Sequence, residues 1–112
     1  MTTVWERAKE ALPKGQYVAG CRIADVDDKG FRLKRASGKA VRVTRRMIED
    51  TAARLLAGET LPKHANRSKG GISYTSAIEN TVIAALAGLA RLDDSGRAWV
   101  LDREQAAGLE AA

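Results

Sequence analysis

Aromatic residues are scarce, at 4% of the chain, so any core has to be built mainly from Ala, Val, Leu and Ile. Cysteine is scarcer still. Cys21 stands alone, which excludes an internal disulfide and a cysteine-rich metal site. A single histidine, His64, leaves too few ligands for zinc, and its only acidic neighbour in sequence is Glu59. It is therefore expected to be a solvated side chain, not a general base. No apolar run approaches the roughly 18 residues that a membrane span needs. The first ten residues already carry Glu6, Arg7, Lys9 and Glu10, which argues against a signal peptide. The expectation is a cytoplasmic protein without membrane attachment.

What is present is an uneven charge. The chain has 112 residues and a net charge of +5, enough length for one continuous core. Residues 1–28 carry a net −1, residues 29–76 hold twelve Lys/Arg against three acids for +9, and residues 77–112 carry −3. The whole basic excess lies in the middle, where it would focus a positive potential on one surface and favour polyanions. No repeat or linker divides the chain, so residues 1–112 read as a single domain.

Local patterns suggest an α+β fold. Thr3 and Glu6 form a capping box for a first helix that Pro13 and Gly15 stop near Leu12. Tyr17 to Val26 reads as one strand, with Cys21 buried on the side shared with Ala19 and Ile23. Phe31–Ala36 and Ala40–Thr44 then form a hairpin around Ser37-Gly38-Lys39. Phe31, Leu33, Val41 and Val43 share one face of it; Arg32, Lys34 and Arg42 share the other, and Arg22 joins them if the first strand pairs in matching register. The expected product is a small three-stranded antiparallel sheet, apolar on one side and cationic on the other, packed against two or three helices.

Thr44 caps a second helix from Arg45 to about Ala57, with Gly58 as its stop. Residues 59–74 read as a long loop. Ser76 and Glu79 open a third, unusually apolar helix that runs to about Ala90 and should be the central helix of the core. A C-terminal hairpin is expected around Asp93–Gly96, pairing Arg91–Leu92 with Ala98–Leu101. A short helix capped by Asp102 should then continue to about Leu109.

None of this assembles a catalytic site, and we expect neither enzymatic activity nor a cofactor or metal. Asp25 to Asp28 and Asp93-Asp94 each precede a glycine turn, where Asp is favoured for its side-chain hydrogen bonds. Neither has calcium-loop spacing. Gly70 and Gly71 follow Lys69, whereas a phosphate-cradling loop places Gly before Lys.

Binding is the stronger theme. Arg45 and Arg46 sit at a helix N-terminus, against the macrodipole, a cost that a bound phosphate would explain. The stretch 63–75 carries Lys63, Arg67 and Lys69, adds Asn66, Ser73 and Tyr74, and leads into the third helix, an arrangement suited to phosphate contact. Gly71-Ile72-Ser73-Tyr74-Thr75-Ser76-Ala77-Ile78-Glu79, with the order of elements around it, resembles small basic α+β domains appended to restriction-type endonucleases and found in uncharacterised phage and bacterial proteins. The resemblance covers Phe31 to Leu89. It implies DNA contact through the polar loop and the helix start, without the nuclease half.

The expected function is thus nucleic-acid binding. Duplex DNA is favoured over single strands because Tyr74 is the only aromatic in the basic loop. Arg32, Lys34, Arg42, Arg45, Arg46, Lys63, Asn66, Arg67, Lys69, Ser73 and Tyr74 form the expected surface, the loop mattering more than the sheet. The alternative is a protein-interaction module for an acidic partner, such as a phage-encoded inhibitor of a bacterial defence complex or a small assembly subunit. Trp99, Val100 and Leu101 would then supply an apolar patch.

Overall fold

Thr3 does cap the first helix: its hydroxyl oxygen accepts from the Glu6 backbone N–H at 3.2 Å, and α1 runs Val4–Ala11. The computed structural model describes residues 2–18, 20–62, 76–107 and 109–110. Ahead of α1 lies the short β1 (Thr2–Thr3), and after it come β2 (Tyr17–Val18), β3 (Cys21–Asp27), β4 (Gly30–Arg35) and β5 (Ala40–Thr44). The middle of the chain forms α2 (Arg45–Leu56), β6 (Leu61–Pro62) and α3 (Ser76–Ala85). The last elements are β7 (Ala90–Leu92), β8 (Ala98–Leu101), α4 (Arg103–Ala106) and β9 (Leu109–Glu110).

The main sheet has four antiparallel strands in the order β2-β3-β4-β5, one more than the sequence pattern suggests. The extra strand arises because Tyr17 to Val26 is not continuous. Val18 pairs with Cys21 across a tight reversal, and Gly20 supplies the left-handed backbone that the reversal needs, at φ 76°. Pairing of Phe31 with Val43 and of Leu33 with Val41 gives the expected hairpin register.

One face of this sheet is the floor of the core. Cys21, Ile23, Phe31, Leu33 and Val43 are buried there, together with Val4, Trp5 and Ala8 of α1, Ile48, Ala52 and Leu55 of α2, and Val82 and Ala85 of α3. Trp5 meets Phe31 edge to face, with ring centroids 5.3 Å apart. Thr44 leaves β5 and caps α2 by accepting from the Met47 N–H at 3.1 Å. That junction turns α2 back over the apolar face.

α3 is shorter than its apolar pattern suggests. The chain leaves helical geometry after Ala85, and Ala87 and Gly88 adopt positive φ of 51° and 89°. This stop releases Ala90 to begin β7. Leu61–Pro62, inside the stretch expected to be loop, instead pairs with Ala98 and Trp99, making a second antiparallel sheet in the order β6-β8-β7. α4 ends at Ala106, short of Leu109, which lies in β9 beside β1. Arg7 ties these late elements to α1, donating to the Ala87 carbonyl at 2.6 Å and to the Gln105 carbonyl at 2.9 Å. Among the described residues, no helix is long and apolar enough to cross a membrane.

Candidate functional site

Among the described residues no helix lies over the second face of the four-stranded sheet, and its side chains alternate with the core residues just described. A bulge in β3 between Ile23 and Asp25 absorbs Ala24, so that Ile23 and Val26 both pack on the core side while Asp25 and Asp27 lie on the open side. Cross-strand register then arranges the open face in rows. One row runs Tyr17, Arg22, Lys34, Ala40; the next runs Asp25, Arg32, Arg42. All seven are exposed.

Two like-charged pairs therefore stand directly opposite one another, Arg22 with Lys34 and Arg32 with Arg42. Side chains so placed have Cβ atoms about 5 Å apart, and equal charges there oppose strand pairing. Compensation is slight. Asp27 approaches Arg42 at 4.0 Å, both groups being exposed to solvent, and Asp25 faces Arg32 across the bulge. Among the described residues, Arg22, Arg32 and Lys34 make no ion pair. The acids cluster at the β3–β4 turn, where Asp27 accepts from the Lys29 N–H at 2.8 Å. The row of Tyr17, Arg22 and Lys34 lies toward the opposite end of the sheet and holds no acid.

Arg45 and Arg46 do not join this face. The Arg45 guanidinium lies over the Trp5 ring, 5.5 Å from its centroid, and pairs with Glu49 at 3.2 Å. That places it on the helical side of the sheet. Arg46 pairs with Asp50 at 3.6 Å one turn along α2 and is otherwise open to solvent. Each arginine thus meets an acid in the following turn, which offsets its unfavourable position at the helix N-terminus. Lys63, His64, Asn66, Arg67, Lys69, Ser73 and Tyr74 lie outside the described residues. Of the expected site, the structure brings together Arg32, Lys34 and Arg42, and adds Arg22 and Tyr17 to them.

The acidic pairs serve turns, as their spacing suggested. The Asp93 carboxylate accepts from the Ser95 hydroxyl at 2.7 Å and from the Arg97 N–H at 3.3 Å. The Ser95 hydroxyl above all, helped by turn N–H groups, holds the Asp93 carboxyl below its ordinary value. Asp93 and Asp94 also border an open cleft of about 350 Å³ with Glu59, Arg91, Arg103 and Leu55. Among the described residues, no three His, Cys, Asp or Glu side chains converge so as to hold a metal ion.

Of the apolar patch suggested for a protein partner, Val100 stands outside the core, half-buried beside the open cleft. Trp99 and Leu101 pack against the core, and the Trp99 indole N–H donates to the Glu79 carboxylate at 3.1 Å. The only large apolar side chains exposed among the described residues are Tyr17 and Leu56.

No family model matches the chain, and comparison with characterised proteins and with solved structures returns no match.

Proposed function

We propose that the protein binds nucleic acid through the open cationic face of its four-stranded sheet. The observation that carries this reading is the pair of like-charged cross-strand contacts, Arg22 with Lys34 and Arg32 with Arg42, on a face over which no helix of the described residues lies. A fold gains nothing from such contacts by itself. A polyanion laid across them converts the repulsion into attraction and releases counterions as it binds. The basic stretch with Lys63, Asn66, Arg67, Lys69, Ser73 and Tyr74 is proposed to add contacts to the same ligand, and Arg46 to contribute at longer range. Trp99 and Leu101, being packed inward, lend no support to a protein partner.

The test is a titration of labelled nucleic acid between about 50 and 200 mM salt, the range over which phosphate contacts lose most of their strength. Affinity should fall steeply with salt. Replacing Arg22 and Lys34 together by Ala removes two contacts, and should lower the slope of log affinity against log salt by about 1.8 on duplex or about 1.4 on a single strand. The same double variant should be at least as stable as the parent at low salt, because a repulsion has been removed. Binding absent even at the lowest salt would refute the proposal. Loss confined to an Arg67→Ala, Lys69→Ala double variant, with the sheet pair silent, would move the interface off the sheet.

A further inference from the structure

The ligand class can be narrowed by what lies beside the cations. Tyr17 is the register partner of Arg22, on the row that continues to Lys34. The residue is 70% exposed, although every other aromatic residue among the described residues is buried or half-buried. The ring is held there by backbone geometry. β2 folds back on β3 at Gly20, so Tyr17 shares the face of Arg22 and not that of Cys21.

We infer that the sheet face binds single-stranded nucleic acid, with one base stacked on the Tyr17 ring and the flanking phosphates on Arg22 and Lys34. This rests on the nucleic-acid reading above and adds the strand state of the ligand. Four strands at about 4.8 Å spacing make a face about 14 Å across. An open four-stranded sheet can hold splayed bases where aromatic rings on it offer stacking surfaces, and one such ring serves one base. An unpaired base has a free π-face, and stacking it on Tyr or Trp is tolerant of sequence. The neighbouring Arg22 guanidinium strengthens such a stack through its planar charge.

A duplex does not use this surface well. Its bases are already stacked, and its major groove admits a helix or a two-stranded ribbon, not the flat of a four-stranded sheet. On a duplex Tyr17 would have no partner. Asp25 and Asp27 add polarity to the face: they repel phosphate at the β3–β4 end and leave the row of Tyr17, Arg22 and Lys34 as the preferred track.

Fluorescence anisotropy with labelled mixed-sequence DNA and RNA strands of about twelve nucleotides, and with the matching DNA duplex, tests this at one fixed salt concentration. Both single strands should bind about tenfold or more tighter than the duplex. Tyr17→Ala should weaken single-strand binding by about 5- to 100-fold, with the salt slope unchanged because no phosphate contact is lost. Tyr17→Phe should restore most of the affinity, since it keeps the ring and loses only the hydroxyl. Equal affinity for strand and duplex would overturn the inference. So would a silent Tyr17→Ala alongside an effective Arg22→Ala, Lys34→Ala pair, a result that leaves nucleic-acid binding itself standing. Failure of every probe to bind would remove both.

Discussion

Gly30→Ala is expected to destabilise the protein by about 4 kcal/mol, a size reserved for substitutions that force the backbone. Gly30 opens β4 at φ 147°, a region that side chains rarely enter. A Cβ there would lie 2.3 Å from the Val43 carbonyl oxygen, 2.8 Å from the Thr44 Cα and 3.0 Å from the Arg45 nitrogen. All three are backbone atoms, so no rotamer change relieves the clash. They also belong to the junction that launches α2: the Arg45 N–H donates to the Lys29 carbonyl at 2.8 Å, and Thr44 caps the helix. Parting the strands to admit a methyl group would strain both contacts. Gly38 is the control, since its φ of 87° is also left-handed but nothing lies within 4 Å of its Cβ position. Gly38→Ala should cost only about 1–2 kcal/mol. Urea denaturation of the two variants separates conformational strain from close approach, and equal losses would show that the approach at Gly30 is not what matters.

Leu86→Ala should cost about 2–5 kcal/mol, the range for emptying a closely packed leucine site. Leu86 is 1% exposed and lies one residue beyond α3, where its N–H still donates to the Val82 carbonyl at 3.1 Å. Its side chain belongs to the same cluster as Leu89, Val82 and the apolar faces of α1 and α2. With so few aromatics in the chain, aliphatic side chains fill most of that cluster, and a missing isobutyl group leaves a void that neighbours close only in part. Leu56→Ala, at the partly exposed end of α2, offers the same chemistry for less than about 1 kcal/mol. A similarly small loss at Leu86 would mean that α3 does not centre the core.

The contrast between these positions explains what the sequence could and could not disclose. Thr3, Thr44 and Asp102 were legible as caps because capping is a contact between residues two or three apart, and the local spacing contains it. The cationic face of Arg32, Lys34 and Arg42 was legible for a similar reason: alternation within one hairpin decides which side each residue faces. Tyr17 was not. Read as part of one strand with Cys21, it falls on the buried side, because odd positions share a face. The reversal at Gly20 inverts that assignment and turns a core aromatic into the exposed ring of the open face. The dipeptide Ala19-Gly20 between Val18 and Cys21 was the available signal. β6 and the β1–β9 pair escaped notice on other grounds. Each strand has two residues, too few for a period, and its partner lies far along the chain. Arg45 and Arg46 illustrate a different gap. Their position against the helix dipole suggested a ligand, whereas Glu49, Asp50 and the Trp5 ring answer that charge within the protein.

The two tryptophans fall one to each half of the fold. Trp5 is sealed against Phe31 over the four-stranded sheet, while Trp99 sits half-buried in the three-stranded sheet with its indole bonded to Glu79. Their emission spectra will differ, since one indole is shielded from water and the other is partly hydrated beside a carboxylate. Each is a built-in optical probe of its own sheet. With Phe at one position or the other, the same denaturation series shows whether the two sheets melt together or the smaller one loosens first.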